Sequence, residues 1–219
     1  MLNFPESAHF ARRVPKKTFV EKLALDSPVR RSMTDDIQRI EWTWSLKEAT
    51  LPLPQGKEVQ EIEVFTVQLK HKTFDERMLV QFDRQIPYHL LYLMEHGGKV
   101  QAWISYKEAA AANEAFRVGT YYHTEWMEKD ALPLAIVGTT LDEVYENFVR
   151  QIAGDALSRR TSDETLKTSV QTAERVAQVE KAIADVTRRL RKERQFNQKI
   201  ELHQEKKRLE QEKEALLHG

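Results

Sequence analysis

The chain contains no cysteine. That excludes a disulfide framework, cysteine-ligated zinc and a cysteine nucleophile, and it fits the reducing cytoplasm. Long apolar runs are also missing, and none approaches the roughly 18 residues of a membrane span. Residues 1–13 carry Pro5, Glu6 and His9 where a secretory signal needs an apolar stretch. No glycine-rich phosphate loop and no Gly-x-Ser-x-Gly is present, so ATPase, kinase, methyltransferase and hydrolase chemistry lack their usual parts. Net charge is absent as well, with 34 basic and 34 acidic side chains. Residues 1–154 hold 19 basic and 22 acidic residues, and residues 155–219 hold 15 and 12. Neither part is a strong lure for nucleic acid. Proline and glycine are scarce in one place only. All seven prolines lie at or before Pro133, and neither residue occurs from Asp155 to His218. The chain therefore reads as two domains, a mixed domain over 1–154 and a helical extension over 155–219.

In the first part, Pro5 and Pro15 make the first 16 residues read as irregular, and a short helix follows over 17–25. Asp26-Ser27-Pro28 opens the next helix, a capping carboxylate before proline at the first helical position. Val29, Met33, Ile37 and Ile40 carry it to about Arg39. Residues 40–46 alternate, which sets Ile40, Trp42, Trp44 and Leu46 on one strand face. After a turn-rich loop at 52–56, residues 62–69 form a second strand, and Thr73 caps a helix over 74–85. The near-continuous apolar run 89–94 predicts a strand buried on both faces. Gly97-Gly98 turns it into a partner strand over 99–106. Residues 107–115 read as a loop or weak helix, 116–126 as a strand, and 132–137 as an edge strand weakened by Pro133. Leu141, Val144, Tyr145, Phe148, Val149 and Ile152 form one stripe of a helix over 140–153 that Gly154 ends. This order predicts an α+β fold with a mainly antiparallel sheet and flanking helices.

The extension follows a seven-residue pattern through Val176, Val179, Ile183, Val186 and Leu190, with Glu193 and Asn197 interrupting before Ile200. Leu202, Leu209 and Leu216 resume it in a shifted register. Two coiled-coil-like geometries fit: one long helix of about 80 Å with a register skip, or an antiparallel hairpin. The hairpin would turn near Gln195-Phe196-Asn197. Missing glycine favours the first, and the lost register tips the reading towards the hairpin or a kinked pair.

Three groups of side chains are chemically capable. On a strand, His123 and Glu125 share a face and could move a proton or ligate a metal, with His89 or His71 as a third ligand. Glu61, Glu63 and Lys70 flank one strand, but no Asp/Glu-x-Lys triplet of the magnesium nucleases falls on it. Arg188, Arg189, Arg191, Lys192 and Arg194 form a basic helix segment suited to phosphates or an acidic partner. Trp42, Trp44 and Trp103 could stack bases, although strand tryptophans more often belong to a core. No cofactor is implied by any motif.

Several phrases occur together: Ile86-Pro87-Tyr88-His89-Leu90-Leu91, Val100-Gln101-Ala102-Trp103-Ile104-Ser105-Tyr106-Lys107, Tyr121-Tyr122-His123-Thr124-Glu125-Trp126, Val144-Tyr145-Glu146-Asn147-Phe148 and Gln195-Phe196-Asn197-Gln198-Lys199-Ile200-Glu201-Leu202. In combination the chain resembles, over nearly its whole length, the bacterial domain-of-unknown-function family four-three-nine-one. The resemblance implies a gene setting beside helicases and adenine-specific DNA methyltransferases of restriction or phage-defence type. No catalytic residue carries over from it. The expected function is a cytoplasmic, non-enzymatic accessory subunit of such a system. Its helical tail would dock to a helicase or methyltransferase, or to a second copy of the chain. The alternatives are a metal-dependent nuclease or hydrolase using His123, Glu125 and His89 or Glu63, and a nucleic-acid-binding module reading through the basic helix.

Overall fold

The computed structural model describes residues 4–110, 116–159, 161 and 164–218. Part of the expected 107–115 loop, residues 111–115, lies outside them. The chain divides into two compact units, Met1–Gly154 and Asp155–Gly219.

The first unit is built on a six-stranded sheet in sequence order. Its elements are β1 (His9–Val14), α1 (Lys16–Lys22), α2 (Ser27–Asp35), β2 (Ile37–Leu46), β3 (Ile62–Leu69), α3 (Arg77–Gln85), β4 (His89–His96), β5 (Lys99–Ala109), β6 (Phe116–His123) and α4 (Leu141–Ala153). Neighbours are antiparallel except β3 and β4, which run parallel through α3. β4 sits in the interior of the sheet, with Leu90, Leu91, Tyr92, Leu93 and Met94 all fully buried, as a continuous apolar run requires. On one face, Phe65, Tyr92, Met94 and Trp103 pack with Val29, Met33, Met78 and Phe82 of α2 and α3. On the other, α4 buries Leu141, Val144, Phe148 and Ile152. The Asp26 carboxylate caps α2, and Thr140 caps α4 through the Glu143 amide at 3.3 Å. Gly97 and Gly98 both take positive φ in the two-residue β4–β5 turn, where a side chain would be strained.

The structure departs from the sequence expectations at several places. Thr73 caps no helix: α3 starts at Arg77, behind Glu76, with no side-chain cap. The proline-flanked start contains β1, an exposed edge strand paired with β2. α2 stops at Asp35, and Ile37 and Ile40 pair with Leu69 and Val67 across the sheet, so cross-strand bonding overrides helical spacing. Trp42 opposes Phe65 while Trp44 opposes Val64, so one extra residue, Thr43, bulges. That bulge turns Trp42 and Trp44 to opposite faces. Residues 107–109 continue β5 rather than starting a loop. Residues 132–137 form no strand. The Gln151 side chain instead bonds Ala135 through both its backbone N–H and C=O, at 2.9 and 3.1 Å, and takes the place of a strand partner.

The second unit is an antiparallel helical hairpin of α5 (Leu166–Lys192) and α6 (Phe196–His218), joined at Glu193, Arg194 and Gln195. The bend needs no glycine. The Glu193 carboxylate accepts from the amides of Arg194 and Gln195 at 2.7 and 2.8 Å, which also holds its pKa below the usual carboxylate range. Lys213 and Glu180 meet at 2.6 Å, Arg189 and Glu205 at 3.7 Å, and Arg175 Nε donates to Glu212 at 3.0 Å across the pair.

Candidate functional site

The expected catalytic group is not assembled. His89 starts β4 on the α4 face, where its ring lies 4.4 Å from Tyr145 and 4.7 Å from Phe116. His123 ends β6 on the opposite face, with its ring 4.4 Å from Trp103 and its Nδ1 3.1 Å from the Gln101 amide. Strand geometry separates the two backbones by two strands and three residues, roughly 14 Å. Glu125 lies beyond the strand end, exposed, so alternation no longer pairs it with His123. His71 is exposed in the bend after β3. Glu63 and Lys70 sit at opposite ends of β3, about 23 Å apart along the strand. Among the described residues no three His, Asp or Glu side chains could hold a metal ion. Burial, reinforced by the nearby Lys107 charge, pushes the His89 pKa down to about 3, so the ring is a neutral packing group at physiological pH.

The most perturbed titratable groups belong to no sequence motif. Asp83 of α3 and Lys107 of β5 form an ion pair with both side chains wholly buried. The Tyr121 hydroxyl donates to the other Asp83 oxygen, and Lys107 Nζ donates to the Tyr88 carbonyl at 3.1 Å. Burial raises the Asp83 pKa and lowers that of Lys107, and the attraction between them opposes both shifts. Burial also raises the Tyr92, Tyr121 and Tyr145 hydroxyls well above their ordinary value. The pair and its hydrogen bonds tie α3 to β5 and β6. The sequence carried one signal for it, since Lys107 continues the face of Trp103 and Ser105 while Asp83 sits one turn after Leu79. Nearby on β3, Glu63 accepts from Trp42 Nε1 at 2.6 Å and Ser45 Oγ at 3.1 Å. Burial, helped by Glu61, pushes its pKa up to about 7.

The tryptophans make no stacking platform. Trp42 lies against Phe10 and Phe65, Trp44 against Phe4 and His9, and Trp103 against Phe74 and His123. A cleft of about 390 Å³ opens beside Trp44, lined by Glu41, Glu95, Arg39 and Lys129. Its lining mixes both signs, and Lys129 is already paired with Glu95 at 3.0 Å.

The hairpin offers open surface of two kinds. Val179, Val186 and Leu202 are buried, whereas Val176, Ile183, Leu190, Leu209 and Leu216 of the same apolar pattern stay half-buried. At the bend, Arg188, Arg189, Arg191, Lys192 and Arg194 are all exposed, as is Phe196.

The architecture is an α+β sheet domain followed by a two-helix hairpin, and the hairpin carries open apolar and basic surface. The chain belongs to the family described as Domain of unknown function (DUF4391), whose profile matches residues 2–212. No curated protein and no solved structure matches it. Among the described residues no helix is long and apolar enough to cross a membrane.

Proposed function

We propose that the protein is a cytoplasmic accessory subunit of a prokaryotic DNA-targeting restriction or anti-phage system, and that it attaches through its helical hairpin. The observation that carries the attachment is the half-open seam. Two helices bury Val179, Val186 and Leu202 but leave five other apolar residues of the pattern partly in water. One or two further helices laid along the seam would remove that surface, the packing mode of three- and four-helix bundles. Specific interfaces need about 800 Å² per partner, which a seam running the length of a hairpin supplies more readily than a single pocket. A helicase or adenine-specific DNA methyltransferase as the partner is supported by the family resemblance. The full chain co-expressed with each candidate is expected to elute as one complex. Ile183→Asp with Leu209→Asp, or removal of residues 163–219, should release the partner. Complexes that survive both changes rule out the seam as the docking surface. A rise in mass with concentration for the chain alone, lost in the same variants, would identify the partner as a second copy.

A further inference from the structure

The hairpin bend has a composition unlike the rest of its unit. Of the twelve residues from Arg188 to Lys199, six are basic and one, Glu193, is acidic. Glu193 is engaged with the bend's own backbone. Arg188 and Arg189 lean on Asp185 and Glu205, at 2.7 and 3.7 Å. Arg191, Lys192 and Arg194 are exposed and meet no carboxylate among the described residues. Beside them Phe196 is 75% exposed and Ile200, one turn on, 42%. Along the helices away from the bend the charges balance, so the cationic field is confined to this end.

We propose that this bend is a binding site for single-stranded nucleic acid, with Arg191, Lys192 and Arg194 on phosphates and Phe196 stacked on a base. Charge and the lone ring point the same way. A polyanion with unpaired, flat, apolar faces satisfies both, because each base stacks on one aromatic side chain whatever its identity. A duplex keeps its base faces covered. A protein partner would need far more apolar area than Phe196 and Ile200 provide. A second copy of the chain would bring like charge against like.

The test uses the full chain and a fluorescein-labelled oligodeoxythymidine of about 20 nucleotides, read by anisotropy across a salt series. Three phosphate contacts predict a slope of log affinity against log salt near −2. Arg191→Glu with Arg194→Glu should flatten that slope and weaken binding. Phe196→Ala should weaken binding about tenfold and leave the slope unchanged. All three positions are exposed, so helicity at 222 nm should match the wild type in each variant. Absence of binding at low salt overturns the proposal, and so does unchanged affinity in Phe196→Ala. Equal affinity for a duplex of the same length, or binding to phosphatidylserine vesicles but not to the oligonucleotide, overturns it too. The inference stands apart from the seam: Ile183→Asp with Leu209→Asp should abolish partner docking and leave oligonucleotide binding intact.

Discussion

Burial strips Lys107 and Asp83 of hydration, and their mutual attraction, with Tyr121 and the Tyr88 carbonyl, offsets that loss only while both are present. Removing one partner of such a pair costs about 3–5 kcal/mol, whereas replacing both with apolar groups is often close to neutral. Lys107→Met should therefore unfold at much lower urea than the wild type, and Asp83→Leu combined with Lys107→Met should recover most of the difference. A double variant as weak as the single one would show that the pair is not what sets the cost. Glu63 gives a test of opposite character. Its folded pKa, about 7, lies above the ordinary 4.5. Its contribution is therefore full below the unfolded value and is lost as pH rises through the folded one. Glu63→Gln keeps the neutral form at every pH. Relative to the wild type it should gain about 2 kcal/mol between pH 5 and pH 8, after discounting for partial solvent screening. Urea titrations at four pH values check this, and a difference that stays flat with pH would refute it.

At the scale of elements, α4 shows how a helix start can anchor a loop distant in sequence. Asp142 in its first turn accepts from the Lys57, Glu58 and Val59 amides at 2.7, 3.2 and 2.8 Å. Gly56 is what lets the loop come so close, since a Cβ there would lie 1.9 Å from the Asp142 carboxylate. Asp142→Ala leaves three amides without their charged acceptor and should cost about 2 kcal/mol. Amide exchange at Lys57, Glu58 and Val59 should accelerate far more than in β4, and unchanged protection there would contradict the anchoring. Neither Asp142 nor Gly56 advertises this role in sequence, because the contact is long-range. Features carried by local chemistry were legible: the Asp26 cap of α2, the stripe of α4, the Gly97-Gly98 turn, the buried run of β4, and the shift of register that marks the α5–α6 bend. The misread elements are those that tertiary pairing decides. β1 is exposed, and its apolar Phe10, Ala11 and Val14 do not alternate with polar residues, so the pattern gave no signal. Ile37 and Ile40 fit a helical period but were claimed by β3. The Thr43 bulge divided two tryptophans that strict alternation had placed together. The candidate site suffered in the same way. Sequence identified His89, His123 and Glu125 as capable groups, but strand order and face decide whether such groups meet, and here both kept them apart.

For the whole molecule, the two units differ in what holds them. The first buries a broad apolar core on both faces of its sheet and carries all four tryptophans. Among the described residues the helices of the hairpin bury only Leu166, Val170, Val179, Val186 and Leu202 as aliphatic side chains, with Arg175–Glu212, Glu180–Lys213 and Arg189–Glu205 pairs between the helices. Surface ion pairs of this kind contribute at most about 1 kcal/mol each, so the few buried aliphatic side chains decide whether α5 and α6 stay paired. A charge at one of them should separate the units' fates. Val186→Asp places an unpartnered carboxylate at a site 2% exposed, a change that costs several kcal/mol in a seam with little to spare. The helices of this unit are long and polar, and isolated helices of such composition are marginal in water. The variant should therefore lose much of its ellipticity at 222 nm while its tryptophan emission stays at the wild-type wavelength. Both attachment through the seam and oligonucleotide binding at the bend should then fail together, because each depends on the pairing of α5 with α6. Full ellipticity in Val186→Asp would mean that the hairpin draws its stability from somewhere other than these buried side chains. A shifted tryptophan emission would mean that the sheet unit depends on it.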